Sequence, residues 1–184
     1  VSIRDPKDAL VSAFRFEEGW MFEPGSVSIE ESAKGYVRRG ARRDYWNHLG
    51  SWWPHRGDTN VLMLCYEALN RDAQATVRRV AAFVGITLDD ELLDLVLRQS
   101  TLEFMLAHKD RFDDRLMRER SERIAALPPG SDSVKVRKGQ VGEHKKELPE
   151  IIADELDQIW REDIEPKFGF PTYAALTAAP TAGT

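Results

Sequence analysis

The chain has 184 residues, 42% of them hydrophobic, and a formal net charge of -5. That length and composition suit one globular domain with an apolar core and exclude a disordered chain. The acidic balance argues against a nucleic-acid partner but leaves room for a local basic patch that holds one small anion; the single cysteine, Cys65, excludes an intrachain disulfide and a Cys-rich metal site and fits a reducing cytoplasm.

Val1 to Ile3 read as the end of a strand. The chain opens there abruptly and without Met, so the expectation is that upstream sequence supplies the first part of a sheet. Asp5 followed by Pro6 predicts a helix start, with Asp as N-cap and Pro at the first helical position, and the helix runs through "KDALVSAFRFEE". "EPGSVS" reads as a turn, and Ser28 with Glu30 and Glu31 opens a shorter helix. "RRDYWNHLGSWW" places Tyr45, Leu49, Trp52 and Trp53 at helical spacing, ended by Pro54 and "HRGDTN".

"NVLMLCYE" is a short apolar run that suits a strand buried on both faces of a parallel sheet. "DAQATVRRVAAFVG" predicts a helix with Val77, Val80, Ala81 and Val84 on one face and Gly85 as its stop; "LDDELLDLVLRQS" predicts the next. "KDRFDDRLMRERSERIAAL" reads as a charged, mobile segment with partial helix. "LPEIIADELDQIWREDIEPKFGF" reads as a last helix with Ile152, Leu156 and Ile159 inward, and residues 177–184 as a disordered tail. No apolar run reaches the length of a membrane span, so no membrane partner is expected. The order of elements implies an α/β fold with a mostly parallel sheet and flanking helices. Two visible strands are few for a self-sufficient sheet, which repeats the expectation of strands outside this sequence.

Three stretches carry chemistry. In "RDPKDALVS" a strand runs directly into a helix, where open α/β sheets bind ligands. The helix N-terminus and the Arg4 fork suit phosphate oxygens, with Ser12 one turn past Asp8; an ion pair of Arg4 with Asp5 or Asp8 fits the same letters. "RKGQVG" sets Arg137 and Lys138 before Gly139, where the backbone can approach an anion; a solvated charge run is the other reading. Tyr66, closing "NVLMLCYE", can stack on a base or simply close the core.

Together these stretches resemble the sulfotransferases that use 3′-phosphoadenosine 5′-phosphosulfate (PAPS), in the cytosolic, small-molecule type. "RDPKDALVS" is similar to that family's strand-to-helix segment, usually Arg-Asn-Pro-Lys-Asp with a later Ser. "YWNHLGSWW", "NVLMLCYEAL", "TVRRVAAFVGI" and "STLEFM" follow in the family's order. "RKGQVGEHK" resembles its Arg-Lys-Gly-x-x-Gly-Asp-Trp-Lys loop. Several motifs in order, spanning roughly Val1 to Phe170, make the resemblance specific.

The resemblance implies a P-loop-NTPase-like parallel sheet and one domain over residues 1–176, incomplete at its N-terminus. It implies sulfuryl transfer from PAPS to a hydroxyl or amine of a small acceptor, with no metal. It also implies that Arg4 and Ser12 bind the 3′-phosphate, that Tyr66 and Ser100 sit at the adenine, and that Arg137, Lys138 and Gly139 close over the phosphate. Asp5 stands for the family's Asn, Leu102 for an aromatic, and Glu143-His144 for Asp-Trp, which gives His144 a role in the loop. The family's glycine-rich 5′-phosphosulfate loop and its His base have no counterpart in residues 1–184, so no catalytic residue is assigned. The family's dimer motif is not recognisable in "KKELPEII". "GWMFEPG" and residues 109–133 are the expected acceptor contacts and lid. An inactive nucleotide-binding module and a P-loop nucleotide kinase relative are the alternatives, to be separated by the upstream loop.

Overall fold

The strand expected at the N-terminus forms as β1 (Ser2–Ile3) and pairs in parallel with β2 (Leu64–Cys65), Ser2 opposite Leu64 and Ile3 opposite Cys65. This computed structural model describes residues 1–38, 44–129 and 135–179. The parallel pairing agrees with the α/β expectation, but β2 is much shorter than the apolar run suggested. Only Leu64–Cys65 are strand, and Tyr66 already begins a helix. Both strand residues are half-buried, because two strands cannot cover two faces of a sheet; Met63 beside them is buried.

Helix α1 (Pro6–Glu17) starts as its sequence dictates. The Asp5 side chain accepts from the Lys7 N–H, Pro6 needs no donor there, and Leu10, Val11 and Phe14 are buried. Before α2 (Ile29–Arg38), Ser28 and Glu31 exchange hydrogen bonds, each side chain accepting from the other's backbone N–H. Helix α3 (Asp44–Trp52) continues into a short 3-10 turn, Trp53–His55. Leu49 and Trp53 face inward as predicted, Trp46 takes the deeper place expected of Tyr45, and Trp52 is exposed. Arg42 and Arg43, read as part of this helix, lie outside the described residues.

Then come α4 (Tyr66–Arg71) and α5 (Ala73–Val84), the latter capped by Asp72 and stopped by Gly85 at φ 74°. The buried positions of α5 are Thr76 and Ala81; Val84, predicted to face inward, is exposed. Helices α6 (Asp90–Gln99) and α7 (Leu102–Ala107) follow, capped by Asp89 and Thr101. The partial helix expected in the charged stretch forms. Lys109–Phe112 form a 3-10 turn and Arg115–Ala125 form α8, capped by Asp114 and tied by Arg118 to Asp113 at 2.6 Å. Its i,i+4 pair Arg115–Glu119 helps a helix that charge counting alone obscures.

After α9 (His144–Glu147), the long helix predicted near the end divides into α10 (Glu150–Asp163) and α11 (Glu165–Phe168). Pro166 is the reason, since it has no N–H for the ladder and its ring opposes the preceding turn. Helix α12 (Tyr173–Ala178) takes in Thr177 and Ala178 of the stretch expected to be disordered; residues 180–184 lie outside the described set. Ile152, Leu156 and Ile159 face inward as predicted. They join Leu10, Trp46, Leu49, Trp160, Ile164 and Leu176 in one core beneath α1 and the sheet. Among the described residues no helix is long and apolar enough to cross a membrane.

Candidate functional site

At the C-terminal ends of β1 and β2, α1, α4, α7 and the loop 135–143 enclose a cleft of about 300 Å³. Six of the seven residues expected to bind a nucleotide line it: Arg4, Ser12, Tyr66, Arg137, Lys138 and Gly139. Ser100 does not. It ends α6, exposed, while Leu102 and Met105 from α7 form that wall instead. A second cleft of about 430 Å³ adjoins along α1, sharing Arg4, Ser12, Lys135 and Arg137 and adding Ala9, Ala13, Arg15 and Phe16.

Arg4 is the most telling of the group. Its guanidinium lies 4.4 Å from the centre of the Tyr66 ring, a cation–π contact that fixes its plane. One Nη donates to the Gln140 carbonyl at 3.0 Å, and the Tyr45 hydroxyl donates to the Arg4 carbonyl. Its Nε is buried without a hydrogen-bond partner. A buried donor left unmet is unfavourable unless something else supplies an acceptor. Neither neighbouring acid pairs with Arg4: Asp5 caps Lys7, and Asp8 is taken up by the loop.

The N-terminus of α1 is less open than the sequence suggests. Asp5 accepts from the Lys7 N–H, and Glu67 accepts the Asp5 N–H at 2.9 Å. Glu67 also accepts from the Tyr173 hydroxyl at 2.6 Å and the Cys65 thiol at 2.9 Å, so β2, α1 and α12 meet on one carboxylate. Two protein carboxylates therefore occupy the seat that a bare helix start offers to an anion, and the cleft's positive charge comes from side chains.

The loop's cations are not simply solvated. Both Nη atoms of Arg137 donate to Glu143, whose side chain is only 6% exposed, and Lys138 lies 3.1 Å from the same carboxylate. Lys138 also lies 3.7 Å from Glu147, which Arg15 reaches at 2.7 Å. Gly139 sits at φ 60°, and a Cβ there would stand 3.6 Å from Leu102 and 3.8 Å from the Tyr66 hydroxyl. A side chain would fit there in ordinary contact, so it is the left-handed backbone that the glycine suits. His144, expected to serve the loop, donates its backbone N–H to Asp8 at 3.0 Å and brings Nδ1 within 2.6 Å of the same oxygen.

Sequence reading missed Glu143 and Asp8 as parts of this assembly. Asp8 was read as a possible ion-pair partner of Arg4, but it stands three residues before buried Val11, on a face that turns inward. That spacing was the available signal.

Burial works to raise the Glu143 carboxyl, but the hydrogen bonds from Arg137 and Lys138 outweigh it and hold it at about 2, from an ordinary 4.5. Burial likewise opposes ionisation of Asp8, and the His144 and Gly142 N–H groups overcome it, so its pKa is lowered. A depressed carboxyl contributes its stability fully above its unfolded value and loses it as pH falls through the folded value. The thermal midpoint should therefore drop as pH is taken from about 5 to about 2, and Glu143→Gln should flatten part of that slope. An unchanged slope in Glu143→Gln would show that the loop does not hold this carboxylate.

Comparison with known proteins places this geometry. The family model described as "Sulfotransferase domain" matches residues 1–168. Sulfotransferase 1C2 of Oryctolagus cuniculus is 28% identical over 163 residues, covering 88% of this chain and 53% of that protein. Sulfotransferase 2A1 of Homo sapiens is 29% identical over 161 residues, covering 87% of this chain and 54% of that protein. The chain thus spans about half the length of the curated relatives it matches. Among solved structures, retinol dehydratase in complex with androsterone and the inactive cofactor PAP superposes with a TM-score of 0.71 at 22% identity, over 89% of this chain and 46% of that one. A mouse sulfotransferase complexed with PAP gives 0.66 at 22% identity, over 89% of this chain and 56% of that one.

Proposed function

We infer the function from one premise: this chain belongs to the sulfotransferase domain family. The reading is that the parent protein moves a sulfuryl group from PAPS to a hydroxyl or amine of a small molecule. Residues 1–176 act as one domain, and this chain holds the nucleoside end of the donor. The observation that carries it is the unmet, buried Arg4 Nε beside Ser12 in a cationic cleft. A 3′-phosphate there would accept from Arg4 Nε and Ser12 Oγ, with Lys138 and Arg137 adding charge from the opposite side. Tyr66 and Leu102 would flank the adenine, Tyr66 already held by Arg4. Ser100 is exposed and does not line this cleft.

The donor supplies the transferable sulfuryl group and leaves as PAP, the 3′,5′-bisphosphate of adenosine. What this chain's residues contribute is orientation. Anchoring the 3′-phosphate end of a bound nucleotide restricts the attitude of its 5′ end, where the sulfuryl group is transferred. Relatives named for amines and hydroxysteroids support a hydroxyl or amine as the acceptor function. The second cleft along α1 is open for contacts at or beyond the phosphate. Of the expected lid, residues 130–133 lie outside the described set. A cytoplasmic setting belongs to the same reading, with Cys65 a free thiol.

The test is thermal. PAP at about 100 times its Kd should stabilise the fold by about 2.7 kcal/mol, and AMP at the same concentration by much less. Equal stabilisation by the two would remove the 3′-phosphate assignment.

A further inference from the structure

We propose that Asp8 is the positioning residue that sets the basic loop against Arg4; the proposal rests on the nucleotide reading above. The Asp8 side chain is fully buried, yet it faces no lysine or arginine at ion-pair distance among the described residues. All its recorded partners belong to the loop. Gly142 N–H donates to one oxygen at 2.6 Å; His144 N–H donates to the other at 3.0 Å, and His144 Nδ1 lies 2.6 Å from it. One turn back on the same segment, Arg4 donates to the Gln140 carbonyl at 3.0 Å.

The loop is therefore fastened to α1 at 140, 142 and 144, by a donor from Arg4 and two acceptor atoms of Asp8. Between these ties and residue 135 lie Arg137, Lys138 and Gly139, all on the cleft. Gly142 holds φ 80°, the left-handed backbone that lets its N–H enter this arrangement. Asp8 touches nothing in the cleft itself and does not line it. Its action is indirect: it fixes where the loop's cations stand relative to Arg4. It also keeps its own charge directed at the loop, so that Arg4 remains available to an anion.

Asn is the informative replacement. A carboxamide keeps the size but turns one acceptor into a donor, which would oppose either Gly142 N–H or the His144 donors. Calorimetric titration of the full chain with PAP and with AMP should show PAP binding to Asp8→Asn weakened by at least about tenfold, with AMP changed by less than about twofold. A role confined to general stability would lower the thermal midpoint but would not separate the two nucleotides. His144→Gln keeps both backbone ties and should show the same selective loss at about threefold; it decides the matter if Asp8→Asn does not fold. Unchanged PAP affinity, or equal weakening for both nucleotides, overturns the proposal. A wild-type chain that fails to prefer PAP to AMP would instead overturn the nucleotide reading, and this inference with it.

Discussion

Arg4→Ala should weaken PAP binding by roughly 10- to 100-fold while leaving AMP nearly unchanged. The size follows from what Arg4 offers. A charge-assisted hydrogen bond contributes about 1.5–3 kcal/mol net, and each 1.4 kcal/mol is a factor of ten in affinity. Arg4 has a buried, unsatisfied Nε and a plane already fixed over Tyr66, so little ordering remains to be done when an acceptor arrives. Arg137 should show a smaller effect on the same assay. Its two Nη atoms are bound to Glu143, and an incoming phosphate has to share them. Arg4→Lys should fall between Ala and wild type, because a lysine keeps the charge but loses the planar fork and the ring contact. If Arg4→Ala weakens AMP and PAP by the same factor, the residue serves the adenosine or the fold and not the 3′-phosphate.

The largest stability effect should come from Trp160→Ala, a loss of about 3–5 kcal/mol. Trp160 is 2% exposed on α10, packs edge-on against Tyr173 of α12 at 6.0 Å, and donates its indole N–H to the Phe170 carbonyl at 2.9 Å. Truncation would open a cavity and leave that carbonyl short of a partner. It would also loosen Tyr173, whose hydroxyl reaches Glu67 and through it the Asp5 N–H at the start of α1. Urea denaturation is the measurement. For a chain of this size the midpoint of thermal unfolding should fall by about 6–20 °C. A loss below about 1.5 kcal/mol would mean that the C-terminal helix is not tied to the core in this way.

Local chemistry was legible where one or two residues decide the outcome. Asp5-Pro6 started α1, Ser28 with Glu31 started α2, and Gly85 stopped α5. The parallel pairing of β1 with β2 agreed with the order of strands and helices. Failures came where tertiary packing decides. The apolar run at 60–67 looked like a strand throughout, but sheet pairing extends for two residues and the chain then turns into α4. The stripe of α3 wrongly took in Trp52, because Trp52 and Trp53 are equally apolar in sequence and it is Trp53 that meets Phe168 and Phe170. The bounds of α8 stayed undefined within a charged stretch read as partly helical, because charge density says nothing of caps such as Asp114.

In the cleft, the side chains named from motifs gathered as expected, apart from Ser100. What sequence could not supply was their pairing. The basic loop looked like a reserve of positive charge, yet Glu143 and Glu147 answer much of it, and of the cations lining the cleft Arg4 has no acidic partner among the described residues. Spacing along a chain shows which charges can converge; the contacts that decide which ones stay available appear only in the fold.

A crystal structure of this chain with PAP tests the central claim most directly. The account predicts the 3′-phosphate within hydrogen-bond reach, about 3 Å, of Arg4 Nε and Ser12 Oγ, with the adenine between Tyr66 and Leu102. A nucleotide bound with its 3′-phosphate turned away from Arg4, or seated outside this cleft, would contradict it.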